Sequence, residues 1–123
     1  MDEKAFYAAV AERAGLSKEE AADLTRATLQ AIAGQISGGE VQKLAQSLPD
    51  WLAAELPRHD RSAHPMALPD FIRQLSGRTR LKEDETRRGV SAVLSVLRQA
   101  TDGTHLEHAL TLLPKDYRQL EAA

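Results

Sequence analysis

Arg13-Ala-Gly-Leu-Ser-Lys-Glu-Glu20 holds the end of one helix and the start of another. Gly15 supplies the residue that enters the left-handed region without a steric cost, which is how many helices stop. Two positions on, Ser17 and Glu20 have the spacing of a capping box: the serine hydroxyl accepts from the third amide, and the glutamate reaches back to the serine amide. Upstream, Phe6, Ala9, Val10 and Arg13 follow three- and four-residue spacing, which predicts a helix over about 3–14. Downstream, Ala21, Leu24, Thr28, Ala31, Ile32 and Gln35 share one face, with Glu19, Asp23 and Arg26 opposite. That pattern predicts a second helix over about 18–36, stopped by Ser37-Gly38-Gly39.

Sliding the chain on itself by 65 positions aligns residues 6–56 with 71–121 without a gap. Phe6 meets Phe71, Arg13 meets Arg78, Leu16 meets Leu81, Glu20 meets Glu85, Ala27 meets Ala92, Leu29 meets Leu94, Gly38 meets Gly103, and Leu48-Pro49 meets Leu113-Pro114. Turn glycine, helix-start proline and core leucines fall into register together, which points to two copies of one unit. The expected organisation is a single domain over 1–123, with unit one at 1–56, a linker at 57–67 and unit two at 68–123. Pro57 and Pro65 bracket the linker, which lacks apolar periodicity. A unit of about fifty residues has too small a core to be stable alone and should bury its apolar stripe against its twin.

The remaining elements follow the same plan. Val41, Leu44, Ala45 and Leu48 predict a helix over about 40–47, and Pro49 opens a fourth with Trp51, Leu52 and Leu56. Pro69 opens a fifth with Phe71, Ile72 and Leu75, and Glu83 to Ala100 forms a sixth with Val90, Val93, Leu94 and Leu97 inward. Thr104-His-Leu-Glu107 reads as a second capping box before Leu106, Ala109 and Leu110, and Pro114 opens a last helix with Tyr117 and Leu120. The fold class expected is all-α, a pseudo-two-fold bundle of two tandem four-helix repeats. In the second unit Thr79-Arg80 and Lys82 stand where the first has Ala14-Gly15 and Ser17, so the second turn is less well specified.

Composition agrees with a helical globule. Of 123 residues, 42% are hydrophobic and only 4% aromatic, so Leu, Ile, Val and Ala must make the core. The chain has no cysteine, which removes disulfides, thiolate nucleophiles and sulfur-ligated metal sites. An acidic start, Met1-Asp2-Glu3-Lys4, and no apolar run near the ~18 residues that span a bilayer lead to the expectation of a cytoplasmic protein with no membrane partner. Residues 1–56 hold 5 Lys/Arg against 9 Asp/Glu, and residues 57–123 hold 11 against 9, so the halves carry −4 and +2. Electrostatic complementarity between two packed halves or subunits accounts for such an imbalance, and an anionic partner for the second half is the rival account.

Val10-Ala-Glu-Arg-Ala-Gly-Leu-Ser-Lys-Glu-Glu-Ala22, Ile36-Ser-Gly-Gly-Glu40 and Leu48-Pro49, with Val93-Leu-Ser-Val-Leu-Arg98 and Leu113-Pro-Lys-Asp-Tyr-Arg-Gln-Leu120, carry a likeness over nearly the whole chain. The pattern resembles a family of small bacterial proteins, domain of unknown function family 2267. That resemblance implies an all-helical duplicated fold and brings no activity with it. Ala9 to Ala33 is also similar to the opening helix pair of bacterial histone-like DNA-binding proteins, where such helices build a dimer interface. After Gly39, however, no alternating strand and no basic ribbon follows.

Several clusters are candidates for chemistry. Arg78, Arg80, Lys82, Arg87 and Arg88 surround the start of the sixth helix, a place where free amides attract anions, although Glu83, Asp84 and Glu85 offset them. His59, Asp60 and His64 lie in the linker, and His105 and His108 share a helix face; solvated polarity is the preferred reading of both groups. No carboxylate dyad or phosphate-cradling loop is visible, and Trp51 and Tyr117 read as core. The expectation is a non-enzymatic protein-interaction or regulatory module, with no catalytic residue, no metal and no cofactor. Its partner is another protein or a second copy of itself, and its apolar sides are spent on each other so that no lined cavity for catalysis remains. The alternative is an accessory nucleic-acid or anion binder using the basic turn.

Overall fold

A computed structural model describes residues 1–57, 63–101 and 103–120 of the chain. Among the described residues seven α-helices run in order: α1 (Glu3–Ala14), α2 (Lys18–Ala33), α3 (Gly38–Ser47), α4 (Asp50–Ala53), α5 (Leu68–Thr79), α6 (Glu83–Ala100) and α7 (Thr104–Thr111). A terminal 3-10 helix spans Lys115–Leu120, and no strand occurs among the described residues. The all-α expectation is met.

Caps explain where the helices begin and end. Gly15 takes φ 68° and closes α1 by donating to the Ala11 carbonyl. At Ser17 the full capping box forms: the Glu20 amide donates to Ser17 Oγ at 3.0 Å, and the Ser17 amide donates to Glu20 Oε1 at 2.9 Å. α6 starts and stops where its periodicity predicts. Three expectations need correction. First, α2 ends at Ala33, because Ser37 caps the next helix by accepting from the Glu40 amide at 3.3 Å. Gly38 and Gly39 therefore form the first turn of α3 and do not stop α2. Second, Thr104 is the first residue inside α7; the cap is Gly103 at φ 82°, with no side-chain bond, so the second capping box is absent. Third, the segment after Pro114 winds as a 3-10 helix.

α2 and α6 are the central elements. α2 packs against α1, α5 and α6, while α6 packs against α1, α2, α5 and the terminal helix. This sandwiching buries more of each than a single amphipathic face: Thr25, Ala27 and Leu29 join the expected inward residues of α2, and Thr86, Gly89, Ala92 and Val96 join those of α6. α3 lies on α7. Phe6 and Phe71 are both buried, and each holds an edge-on aromatic partner: Trp51 at 5.4 Å for Phe6 and Tyr117 at 5.1 Å for Phe71.

A closed ring of hydrogen bonds fastens the terminal helix. Gln35 Nε2 donates to the Tyr117 hydroxyl at 2.9 Å, Tyr117 donates to the Met66 carbonyl at 2.8 Å, and the Met66 amide donates to Gln35 Oε1 at 2.9 Å. Burial pushes the Tyr117 phenol up to about 12, with the Gln35 bond opposing that shift. Asp116 Oδ2 accepts from the Leu68 amide at 3.0 Å, so the same helix caps the start of α5. The stretch leading into α5 is thus tied at both His64, whose amide donates to the Gly34 carbonyl, and Met66. Residues 58–62 of the expected linker lie outside the described residues.

Candidate functional site

A cleft of about 680 Å³ runs along the outer face of α6. That volume falls within the roughly 300–1,000 Å³ usual for ligand pockets. Four elements build it. α6 contributes Glu83, Asp84, Arg87, Arg88, Ser91 and Ser95, which recur every three to four residues and so share one stripe. Arg13 of α1 and Gln119 of the terminal helix stand at the sides, and buried Ile72, Ala92 and Leu120 supply apolar surface.

Hydrogen bonds within the fold aim the guanidinium groups. Arg13 Nη1 donates to Ser95 Oγ at 2.8 Å, and Arg88 Nε donates to the Ala14 carbonyl at 2.8 Å. Ser91 Oγ donates to the Leu120 carbonyl at 2.7 Å, which holds the terminal helix against the cleft. Four other surface cations are matched to carboxylates: Arg26 to Asp23 and Glu55, Arg73 to Asp70, Arg98 to Glu107, and Lys43 to Glu40. Arg13, Arg87 and Arg88 have no such ion pair among the described residues, although Glu83 and Asp84 line the same cleft. The carboxylates are exposed, and both serine hydroxyls are engaged in the bonds just described.

The five basic residues singled out in the sequence have different surroundings. Arg87 and Arg88 line the cleft. Arg78 Nη2 donates to Gln30 Oε1 of α2 at 2.7 Å, Arg80 sits exposed with φ 64°, and Lys82 is exposed at the α6 cap. Arg13 was not legible as a site residue, because only the packing of α1 on α6 brings it there. Its i+3 and i+4 relation to Val10 and Ala9 marks it as the polar end of an apolar stripe, and its register with Arg78 under the 65-residue offset was the one sequence signal tying it to the basic cluster.

The described histidines do not converge. His108 Nε2 lies 3.3 Å from Glu40 Oε2, joining α7 to α3, and no group of three metal-ligating residues exists among the described ones. His59 and Asp60 lie outside the described residues. A second hollow, of about 220 Å³, sits beneath the terminal helix between Ile32, Phe71, Val90, Leu94, Leu110 and Tyr117. It is smaller than common ligand sites and mainly hydrocarbon-lined. No described helix is long and apolar enough to cross a membrane.

The family described as "Uncharacterized conserved protein (DUF2267)" matches residues 3–120. No curated protein matches the chain.

Proposed function

We propose, on the premise that the chain belongs to the DUF2267 family of uncharacterised conserved proteins, that it is a non-enzymatic cytoplasmic module that docks an acidic segment of another protein in the α6 cleft. One observation carries this reading: Arg13, Arg87 and Arg88 line one cleft without ion-pair partners among the described residues, two of them held in place by hydrogen bonds. A guanidinium already oriented by the fold loses less side-chain entropy when it binds a carboxylate. Each charge-assisted hydrogen bond so formed is worth about 1.5–3 kcal/mol where water is partly excluded.

Glu83 and Asp84 decide what kind of anion fits. They sit at the N-terminal end of the α6 stripe, one turn before Arg87 and Arg88, so a uniformly charged polyanion meets repulsion there. A patterned segment, acidic over the arginines and basic or neutral over the first turn of α6, meets none. Apolar Ile72, Ala92 and Leu120 favour a partner that brings aliphatic side chains along with its carboxylates. This charge pattern favours a protein segment over duplex DNA.

Fluorescence anisotropy with a labelled amphipathic peptide bearing paired glutamates and leucines tests the reading. Binding at micromolar concentration is expected, weakening as salt rises. Arg87→Glu should raise Kd at least about tenfold, equivalent to ~1.4 kcal/mol. Equal affinity of the parent and Arg87→Glu proteins, or tighter binding to a DNA duplex than to the peptide, overturns it.

A further inference from the structure

We infer that the chain is an internal dimer whose two halves lie crossed, and that a size-matched pair, Leu24 over Gly89, makes the halves complementary and not interchangeable. The crossing is seen in which helices pack. α1 lies on α6 and α5 lies on α2, so the first helix of each half rests on the second helix of the other. The 65-residue offset carries one of these pairs onto the other, and it carries the α2–α6 and α3–α7 packings onto themselves.

Polar bonds repeat the exchange. Arg13 donates to Ser95 at 2.8 Å, and Arg78 donates to Gln30 at 2.7 Å. The offset takes Arg13 to Arg78 and Gln30 to Ser95, so each bond is the image of the other with the halves traded. Gly15 and Arg80, a further corresponding pair, both occupy the left-handed region, at φ 68° and 64°.

Leu24 and Gly89 also correspond under the offset, and they touch each other. A contact between corresponding residues marks where a two-fold axis runs, and on such an axis identical large residues collide. A Cβ placed on Gly89 overlaps the Leu24 Cδ2 methyl, with Leu16 Cδ1 at 3.4 Å and Leu24 Cγ at 3.7 Å. Leu24 is wholly buried, so its methyl cannot swing aside without displacing neighbouring core atoms. Leucine on leucine does not fit, and glycine on glycine leaves a void; only the mixed pair fills the space. The device therefore selects the partner of each half. Two copies of the chain cannot pair like half with like half.

A double-mutant cycle on the full chain tests the inference, read by thermal unfolding. In the middle of a helix, Gly→Ala ordinarily stabilises through propensity alone. Here Gly89→Ala should instead lower Tm by roughly 5–10 °C, because overpacking outweighs propensity. In a Leu24→Ala background the same change should raise Tm, since the new methyl enters the space that the leucine leaves. That reversal of sign is not expected from propensity or from general damage. If Leu24→Ala fails to fold, Leu24→Val with and without Gly89→Ala gives the same comparison with a smaller cut. A rise in Tm on Gly89→Ala in the parent, or a fall of equal size in both backgrounds, overturns the inference.

Discussion

Between α1 and α2 the left-handed position is held by Gly15, and between α5 and α6 it is held by Arg80, yet the two residues differ by only a few degrees in φ. Ser17 completes a reciprocal cap in the first turn. In the second, Glu85 accepts from the Lys82 amide at 2.9 Å, while the lysine side chain, which only donates, can return nothing. The second turn thus keeps the geometry of the first with poorer local chemistry. What it retains is packing: Leu81 is buried where Leu16 is half-buried, and the Ser76 hydroxyl adds a bond to the Leu81 carbonyl. Turn conformation here is imposed by the helices that must meet, and local propensity only adjusts its cost.

The ends of the two regions differ more, and give the largest expected effect. Phe6 packs on Trp51, which adds no buried polar ring, whereas Phe71 packs on Tyr117, whose hydroxyl closes the bonds to Gln35 and Met66. Tyr117→Phe leaves a buried amide and a carbonyl short of a partner and should cost about 1–3 kcal/mol in urea unfolding at neutral pH. Its pH profile carries a sign as well. A phenol held at about 12 when folded and near 10 when unfolded keeps its proton more tightly in the native state. Its stabilising contribution is full below about pH 10 and is lost as pH climbs through 12. The Tyr117→Phe protein should lose less stability than the parent across that window, and Trp51→Phe should follow the parent. Parallel alkaline curves for parent and Tyr117→Phe break the contrast.

Gly15→Ala should lower stability by about 1 kcal/mol and Arg80→Gly should raise it by a similar amount, because a side chain in the left-handed region costs ~1–2 kcal/mol. Opposite signs are the content of this prediction; equal signs in calorimetry would mean that the two turns are not doing the same task. Smallest is the cap: Ser17→Ala should cost about 0.5–1 kcal/mol, and Lys82→Ser should gain up to that much by restoring the missing acceptor. No change in Tm for Lys82→Ser would show that the half cap already suffices.

Much of this architecture was legible because periodicity and caps act within a few residues. α1 and α6 have the predicted bounds, and the Ser17–Glu20 box forms as read. The errors arose where one residue type serves two roles. Ser37-Gly38-Gly39 has the look of a stop, but a serine that ends one helix is the same serine that caps the next. Thr104 and Glu107 have capping-box spacing, yet Gly103 takes the cap because its positive φ aims the chain into α7. The cleft was not legible at all. It is assembled from α1, α5, α6 and the terminal helix, and its decisive feature, arginines left without acids, depends on which faces meet across more than seventy residues of sequence.

The crossed packing of α1 on α6 and of α5 on α2 also sets a timetable for biosynthesis. At about 5–20 residues per second, roughly 3–13 s pass between completion of α2 and completion of α6 on the ribosome. Over that interval α2 has only α1 and then α5 to pack on, and Leu24 lacks the α6 surface at Gly89 that it meets in the folded chain, so burial of this face waits on the later helices.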